Sequence, residues 1–471
     1  MLMGSFNSRE EDQGEEELEA AATNIRDLEI YHRQHQHQHQ HQQQPIISSI
    51  SADRIDLTAP PPPAVAPPPL PNAALHIRQL LIRCADLISH SDSAAAHRLL
   101  SVLSANSSPF GDATERLVHH FSRALFHRLN NTTTITSTTY SSILRPDVHD
   151  TVEAESDIEA VHSSYLTLNQ ITPFIRFCHL TANQAILDAI DDGQQALHIL
   201  DLDIMHGLQW PPFMQALADR PSPPFLRVTA TGTDLSLLRR TGDRLLRFAN
   251  SLGLRFQFHP LHHHHDHDLP LLLSSSALVL FPDEALAVNC VLFLHRLLRF
   301  SDQQRNLVIL SFLNTIKALN PKVVTIAERE ANLNSHIPAL FMPTFVEALD
   351  HYTAIFDSLE ATLPPSSRDR LAVEQIWLAS EILEVVAGGA EDNNNIEDER
   401  RRRKAQRYEA WEVMLGRSGF SNVALSPFAL SQAKLLLRLH YPSEGYRLRI
   451  LNSSFFLGWQ NRPLFSVSSW H

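Results

Sequence analysis

Residues 196–210 read ALHILDLDIMHGLQW, and the rest of the chain can be read outward from them. Leu197, Ile199 and Leu200, with His198 among them, form an apolar run too short for a helix. The run follows the turn-like Asp191, Asp192 and Gly193, which predicts a short buried strand. Its carboxyl end carries Asp201 and Asp203. In an open α/β sheet, ligands bind in the crevice beyond the carboxyl ends of the strands, so a nucleotide site would begin here. A dinucleotide fingerprint needs several glycines so that backbone can approach a pyrophosphate. Between Asp201 and Trp210 there is only Gly207, among bulky Ile204, Met205, His206 and Leu208. The stretch predicts a nucleotide-type sheet whose phosphate loop has been filled in.

Strand and helix patterns alternate after it. Leu226–Thr231 is predicted as a second strand, Leu235–Leu252 as a leucine-rich helix and Leu254–His259 as a third strand. Ala287–Phe293 follows as a strand, Gln303–Leu319 as a helix, and Val323–Ala327 as a strand ending in Glu328 and Glu330. This order implies a mainly parallel sheet with right-handed crossovers. Phe345, Leu349, Tyr352, Phe356 and Leu359 mark a helix opened near Pro343. Tyr446–Leu451, Phe455–Trp459 and Leu464–Val467 predict an antiparallel edge.

Before the central strand the period is helical. Ile77, Leu80, Leu81, Cys84, Leu87 and Ile88 share one face, and an alanine-led helix runs to Leu103. Asp112 with Glu115 three residues on announces a third helix by a capping-box pattern. The threonine-rich stretch from Asn130 to Thr139 reads as a loop, and helix resumes through Tyr165–Leu168 and Phe174–Leu187. Residues 1–72 combine an acidic cluster at Glu10–Glu19, a His/Gln alternation at His35–Gln44 and proline blocks at 60–63 and 67–69. Such a composition cannot offset the entropy of ordering it, and a disordered tail is expected.

A hydrophobic fraction of 43% over 471 residues suffices for a large core. The formal charge of -13 opposes a broad nucleic-acid surface, so any DNA contact must be local or borrowed from a partner. Cys84, Cys178 and Cys290 lie far apart in apolar surroundings, which predicts buried free thiols in a reducing compartment. No stretch has the length of a membrane span, and the acidic N-terminus is unlike a signal peptide; an intracellular, soluble protein without membrane contact is expected.

These motifs together resemble the GRAS family of plant regulators. LHILD, residues Leu197, His198, Ile199, Leu200 and Asp201, followed by Asp203, Gly207, Gln209 and Trp210, is similar to the family's VHIID motif. Pro321 with VVTIAEREAN, the helix ending FDSLEATL, Arg370 and Glu374 resemble the PFYRE block. Trp411, Gly419, Phe420, Gly445, Tyr446, Trp459, Arg462, Pro463 and Trp470 resemble the SAW block. The resemblance covers residues 73–471 and divides them into a first leucine-rich region (73–145), a VHIID region (160–228), a second leucine-rich region (235–270), a PFYRE region (285–390) and a SAW region (395–471). ITPFIRFCHLTANQAILDA, Ile171–Ala189, and LHYPSEGY bring it closest to the lateral suppressor branch. The resemblance implies an α/β, methyltransferase-like (Rossmann-type) fold with an N-terminal helical cap. It also implies a nuclear regulator, non-enzymatic, acting on axillary meristem initiation through other transcription factors or GRAS proteins, as a homo- or heterodimer, with DNA reached directly or through partners. No DELLA sequence is present in the tail, so gibberellin regulation is not carried over.

Several residues have two readings. Asp201 and Asp203 could accept hydrogen bonds from a ribose or an amino group, or cap the next helix; with one glycine nearby no cofactor is expected. His198 reads as a satisfied sheet histidine, and no nucleophile–base set supports hydrolysis. Leu80, Leu81 and Leu87, and Leu294, Leu297 and Leu298 in LHRLL, have the spacing of leucines that dock in a partner's groove, although that spacing more often marks core. Arg400, Arg401, Arg402, Arg403 and Lys404, with Arg407, form the one basic run, a candidate for nuclear import or phosphate contact against the alternative of a solvated helix face. The histidines at 262–265 with Asp266, His267 and Asp268 could bind metal, but neighbouring residues seldom converge on one ion and none is expected. Trp459, Arg462, Pro463 and Trp470 are read as an aromatic seal on the sheet edge. The competing functions are a methyltransferase-like enzyme retaining S-adenosylmethionine and a direct DNA reader.

Overall fold

The computed structural model describes residues 72–131, 160, 163–274, 277–299, 302–333, 341–387 and 405–471. The expected tail, most of the threonine-rich loop and the basic run Arg400–Lys404 lie outside them. The organising element is a nine-stranded sheet. Its strands are β1 (Ala196–Leu202), β2 (Phe225–Gly232), β3 (Phe256–His262), β4 (Ala285–Val291), β5 (Val323–Arg329), β6 (Asn422–Val423), β7 (Tyr446–Leu451), β8 (Ser454–Trp459) and β9 (Arg462–Trp470).

The spatial order is β3-β2-β1-β4-β5-β9-β8-β7, with β6 also paired to β9. β1 to β5 pair in parallel and the C-terminal strands antiparallel. The order reverses between β1 and β4, which creates the switch-point crevice of a Rossmann-type sheet. β1, β2 and β4 are buried along nearly their whole length because helices cover both faces. Alternation divides β1: Leu197 and Ile199 enter one core with Trp210 and Phe213, whereas Leu200 and Leu202 enter the other with Phe293, Phe312 and Trp411.

The sequence places these elements well, with instructive shifts at their ends. β4 begins at Ala285 and stops at Val291, because Leu292 takes φ 55° and turns the chain. The expected C-terminal edge is deeper than predicted: β9 runs to Trp470 and inserts beside β5, so the sheet edge is β7. The short strand β6 was not foreseen; two residues carry too little pattern. Ahead of the sheet lie the helices Asn72–Ser89, Ser93–Ala105 and Ala113–Asn131. The expected capping box is present: Glu115 donates its amide to Asp112 at 2.8 Å, and Asp112 donates its amide to the Glu115 carboxylate at 3.0 Å. The third helix is fastened to a π-helical segment, Val373–Leu378, where Arg116 donates to the fully buried Glu374 at 2.7 and 3.1 Å.

Candidate functional site at the strand ends

Asp201 is the penultimate residue of β1, and its side chain emerges on the face that the helix Trp210–Ala218 covers. Trp210 donates its indole N–H to Asp201 at 2.7 Å, and Asn289 of β4 donates its amide at 3.0 Å. Asn289 in turn accepts from Thr325 of β5 at 2.9 Å and exchanges hydrogen bonds with Gln209, which also reaches Asn183 at 3.0 Å. The motif's aspartate therefore ties β1, β4 and the loop before the helix into one buried polar network. Burial pushes its carboxyl up to about 7, although the bonds from Asn289 and Trp210 pull it down. The expected capping role is corrected: neither Asp201 nor Asp203 caps the following helix, whose N-cap, Gln209, makes no side-chain cap bond.

The loop after β1 is tightly wound. Asp203 and Met205 adopt left-handed φ values of 74° and 50°, and Gly207 one of 66°. Such conformations in non-glycine residues cost energy and cluster where function or tight packing holds them. At Gly207 an added Cβ would come within 2.8 Å of Thr241, so only glycine fits. Pro211 and Pro212 then occupy the first turn of the helix. Proline has no N–H, and the Trp210 amide already donates to Gly207 at 3.1 Å. The amides that would receive a phosphate at a helix N-terminus are thus missing or used.

Asp203 pairs with Arg296 at 2.5 Å, and Arg296 also holds Asp266 at 2.8 Å. The neighbouring acids are likewise engaged: Glu328, at the end of β5, accepts from the backbone and ring of His295, each at 3.1 Å, and Glu381, from the helix Ala379–Ala387, binds Arg329 at 2.5 Å. Around them lies a cavity of about 190 Å³ bounded by Tyr165, His179, Arg296, Arg329 and Trp377 as well as the loop. Sequence reasoning found Asp201, Asp203 and Glu328 but missed Arg296, Arg329, Tyr165 and Trp377. The acids and Arg329 sit at strand ends, where the pattern singled out only the acids; Arg296, Tyr165 and Trp377 arrive from separate elements.

His198 points to the opposite face of β1. It contacts Thr229 at 2.8 Å through Nε2 and receives Arg227 at 3.1 Å through Nδ1, while Arg227 grips Glu284. Arginine can only donate, so Nδ1 accepts and the proton sits on Nε2. Burial, followed by the Arg227 charge, lowers its pKa to about 3. It is a neutral structural histidine, as its position in the sequence suggested.

The remaining expected site residues divide by burial. Leu80 and Leu87 are half-buried on the first helix. Leu81, Leu294, Leu297 and Leu298 are at most 1% exposed, which corrects their reading as partner contacts: their leucine spacing serves the core. LHRLL forms a 3-10 turn, Leu294–Arg299, whose leucines pack beneath β4. Trp459 and Trp470 are buried, Pro463 faces Gly458, and Arg462 binds Glu347 at 2.7 Å. Cys84, Cys178 and Cys290 are buried free thiols. Among the described residues no group of histidines and acids is arranged to hold a metal, and no helix is long and apolar enough to cross a membrane.

The model of the GRAS domain family matches residues 77–471. The chain belongs to the GRAS domain family. Scarecrow-like protein 18 of Arabidopsis thaliana is 52% identical over 421 residues, covering 84% of this chain and 91% of that protein. Protein MONOCULM 1 of Oryza sativa subsp. japonica is 44% identical over 417 residues, covering 83% and 88%. The crystal structure of SCL7 in Oryza sativa shares 33% identity and superposes with a TM-score of 0.66 over 84% of this chain and 99% of that one. The GRAS motif LHILD is thus β1 itself, with alternate residues in separate cores and its aspartate in the strand-end network.

Proposed function

We propose that this GRAS protein is a nuclear regulator of transcription in plant development that acts on axillary meristem initiation. It works by binding other transcription factors or GRAS proteins and reaches DNA through them. The observation that carries the non-enzymatic part is the strand-end loop: Pro211 and Pro212 remove helix amides, and the Asp203 carboxylate that would receive a ribose or amino group is paired with Arg296. Identity of 52% and 44% to two relatives over most of their length supports the regulatory part. The half-buried Leu80 and Leu87 provide the proposed partner contact. The basic run Arg400, Arg401, Arg402, Arg403 and Lys404 provides import.

The test is fluorescence anisotropy of the purified chain against random duplexes over a salt series, with and without nuclear extract from the source plant. Binding that appears only with extract is expected. Selective binding by the pure protein at physiological salt would instead make it a direct DNA reader. Saturable S-adenosylmethionine binding, lost in a folded Asp201→Ala variant, would overturn the non-enzymatic reading. Disruption of the gene should reduce lateral branch number, and unchanged branching would refute the meristem role.

A further inference from the structure

The sheet has two outer strands, and they are built differently. β3 forms one, and Pro260 within it leaves the outer side short of a donor for any incoming strand. β7 forms the other and carries no such guard. It holds no proline, pairs with β8 through six consecutive residues without a bulge, and has no strand on its far side among the described residues. The turn that follows it settles which backbone groups are free. Asn452 and Ser453 take φ values of 47° and 64°, the pattern of a two-residue hairpin turn, which closes on the pair Leu451 and Ser454. Bonded and non-bonded pairs alternate from there along an antiparallel ladder. Leu451, Arg449 and Arg447 therefore bond to β8, whereas Ile450, Leu448 and Tyr446 turn their amides and carbonyls to the open side. Among the described residues no other backbone group pairs with them.

The side chains of β7 select the kind of strand that fits. Successive residues point to opposite faces. Arg447 and Arg449 stand exposed on one face, while Leu448, half-buried, and Ile450, 56% exposed, share the other. Arg449 reaches the side chain of Asn461 at 3.3 Å, and among the described residues no carboxylate pairs with either arginine. The nearest acid in sequence, Glu444, precedes the strand. A second copy of the chain fits this edge poorly, because antiparallel self-pairing sets arginine opposite arginine, and like charges across a ladder are destabilising. A strand with acids at alternate positions is matched instead. Its carboxylates meet Arg447 and Arg449, its intervening residues cover Leu448 and Ile450, and its backbone satisfies the open amides and carbonyls.

We propose that the open edge of β7 takes an extended peptide with acidic residues at alternate positions, which joins the sheet as a further strand. The proposal adds a second surface to the partner-binding reading and rests on that reading only for the source of the peptide; the extract-dependent DNA binding is measured without this probe, so either can fail alone. The probe is a labelled peptide of alternating glutamate and valine, as long as β7, titrated against the full chain by fluorescence anisotropy. The same peptide with lysine in place of glutamate is the control. The glutamate peptide should bind saturably and the lysine peptide should not. Reversing the two exposed charges, Arg447→Glu with Arg449→Glu, should weaken the glutamate peptide by about tenfold and admit the lysine peptide. Only alternate amides of an added strand face β7. Methylating the backbone nitrogens of the valines, or of the glutamates, should therefore abolish binding in one case and spare it in the other. No binding of the glutamate peptide, equal binding of the two peptides, unchanged affinity in the folded double variant, or equal effects of the two methylations would overturn the proposal. So would self-association of the chain that the double variant alters, since a second copy would then hold the edge. Should the double variant fail to fold, Arg447→Glu alone decides, and unchanged affinity there overturns the proposal as well.

Discussion

Asp201 shows how one side chain can be both motif and joint. It accepts hydrogen bonds from Trp210 and Asn289 in a site with 3% exposure. Asp201→Ala would strand both donors and should cost about 3 kcal/mol in a urea titration. The proton linkage has a defined sign. The folded carboxyl titrates near 7 and its reference value is 3.8, so the native state holds the proton between them. Its contribution to stability is present below about pH 4 and is lost as pH rises through about 7. His198 acts in the opposite direction. Its folded value is near 3 against 6.5, so its contribution is full above about 6.5 and is lost as pH falls toward 3. A His198→Gln variant, which keeps a donor for Thr229 and an acceptor for Arg227, should therefore lose less stability than the wild type between pH 6 and 4. An identical pH slope for the two proteins would contradict the neutral histidine assigned here.

At the level of elements, the N-terminal helices depend on a buried ion pair. Arg116 is 1% exposed and its partner Glu374 is fully buried. Glu374→Ala leaves Arg116 with only the more exposed Glu360, at 2.9 Å, so it should cost about 3 kcal/mol, measured by denaturant midpoint. Asp112→Ala at the start of the same helix should cost only about 1 kcal/mol, because it removes one cap at an exposed end. The first helix separates packing from contact. Leu81 is 1% exposed and Leu80 half-buried, one residue along. Leu81→Asp should unfold the helix, while Leu80→Asp should keep the circular dichroism melt and reduce partner binding in a pull-down. Equal loss of fold in both would remove Leu80 as a contact. Much at this scale was legible. Three-four leucine spacing located the helices, and the pair Asp112 and Glu115 located a start. The pairing of Arg116 with Glu374 was not legible: the two residues are 258 positions apart, and the motif that includes Glu374 does not name its partner.

For the whole molecule, the position of β9 matters most. Its residues end the chain, yet β9 lies between β5 and β8, pairs Val324 with Trp470, and also holds β6. Chain ends usually tolerate deletion. Removal of residues 462–471 should here leave β5 with an open edge and the β7–β8 pair detached from the sheet, and should yield an insoluble or unfolded protein. A soluble truncation with an unchanged melting curve would refute the central placement. The sequence by itself determined the parallel βα alternation, the terminal antiparallel strands, the buried thiols and the absence of a glycine phosphate loop. Each of these is written in local periodicity or in the residue types of one short segment. Only the tertiary structure decided that LHRLL is core, that Arg296 closes onto Asp203, and that Tyr165 and Trp377 meet beside them. Such contacts join residues distant along the chain, and they arise when the sheet brings separate loops to one crevice, a placement that no local pattern of side chains encodes.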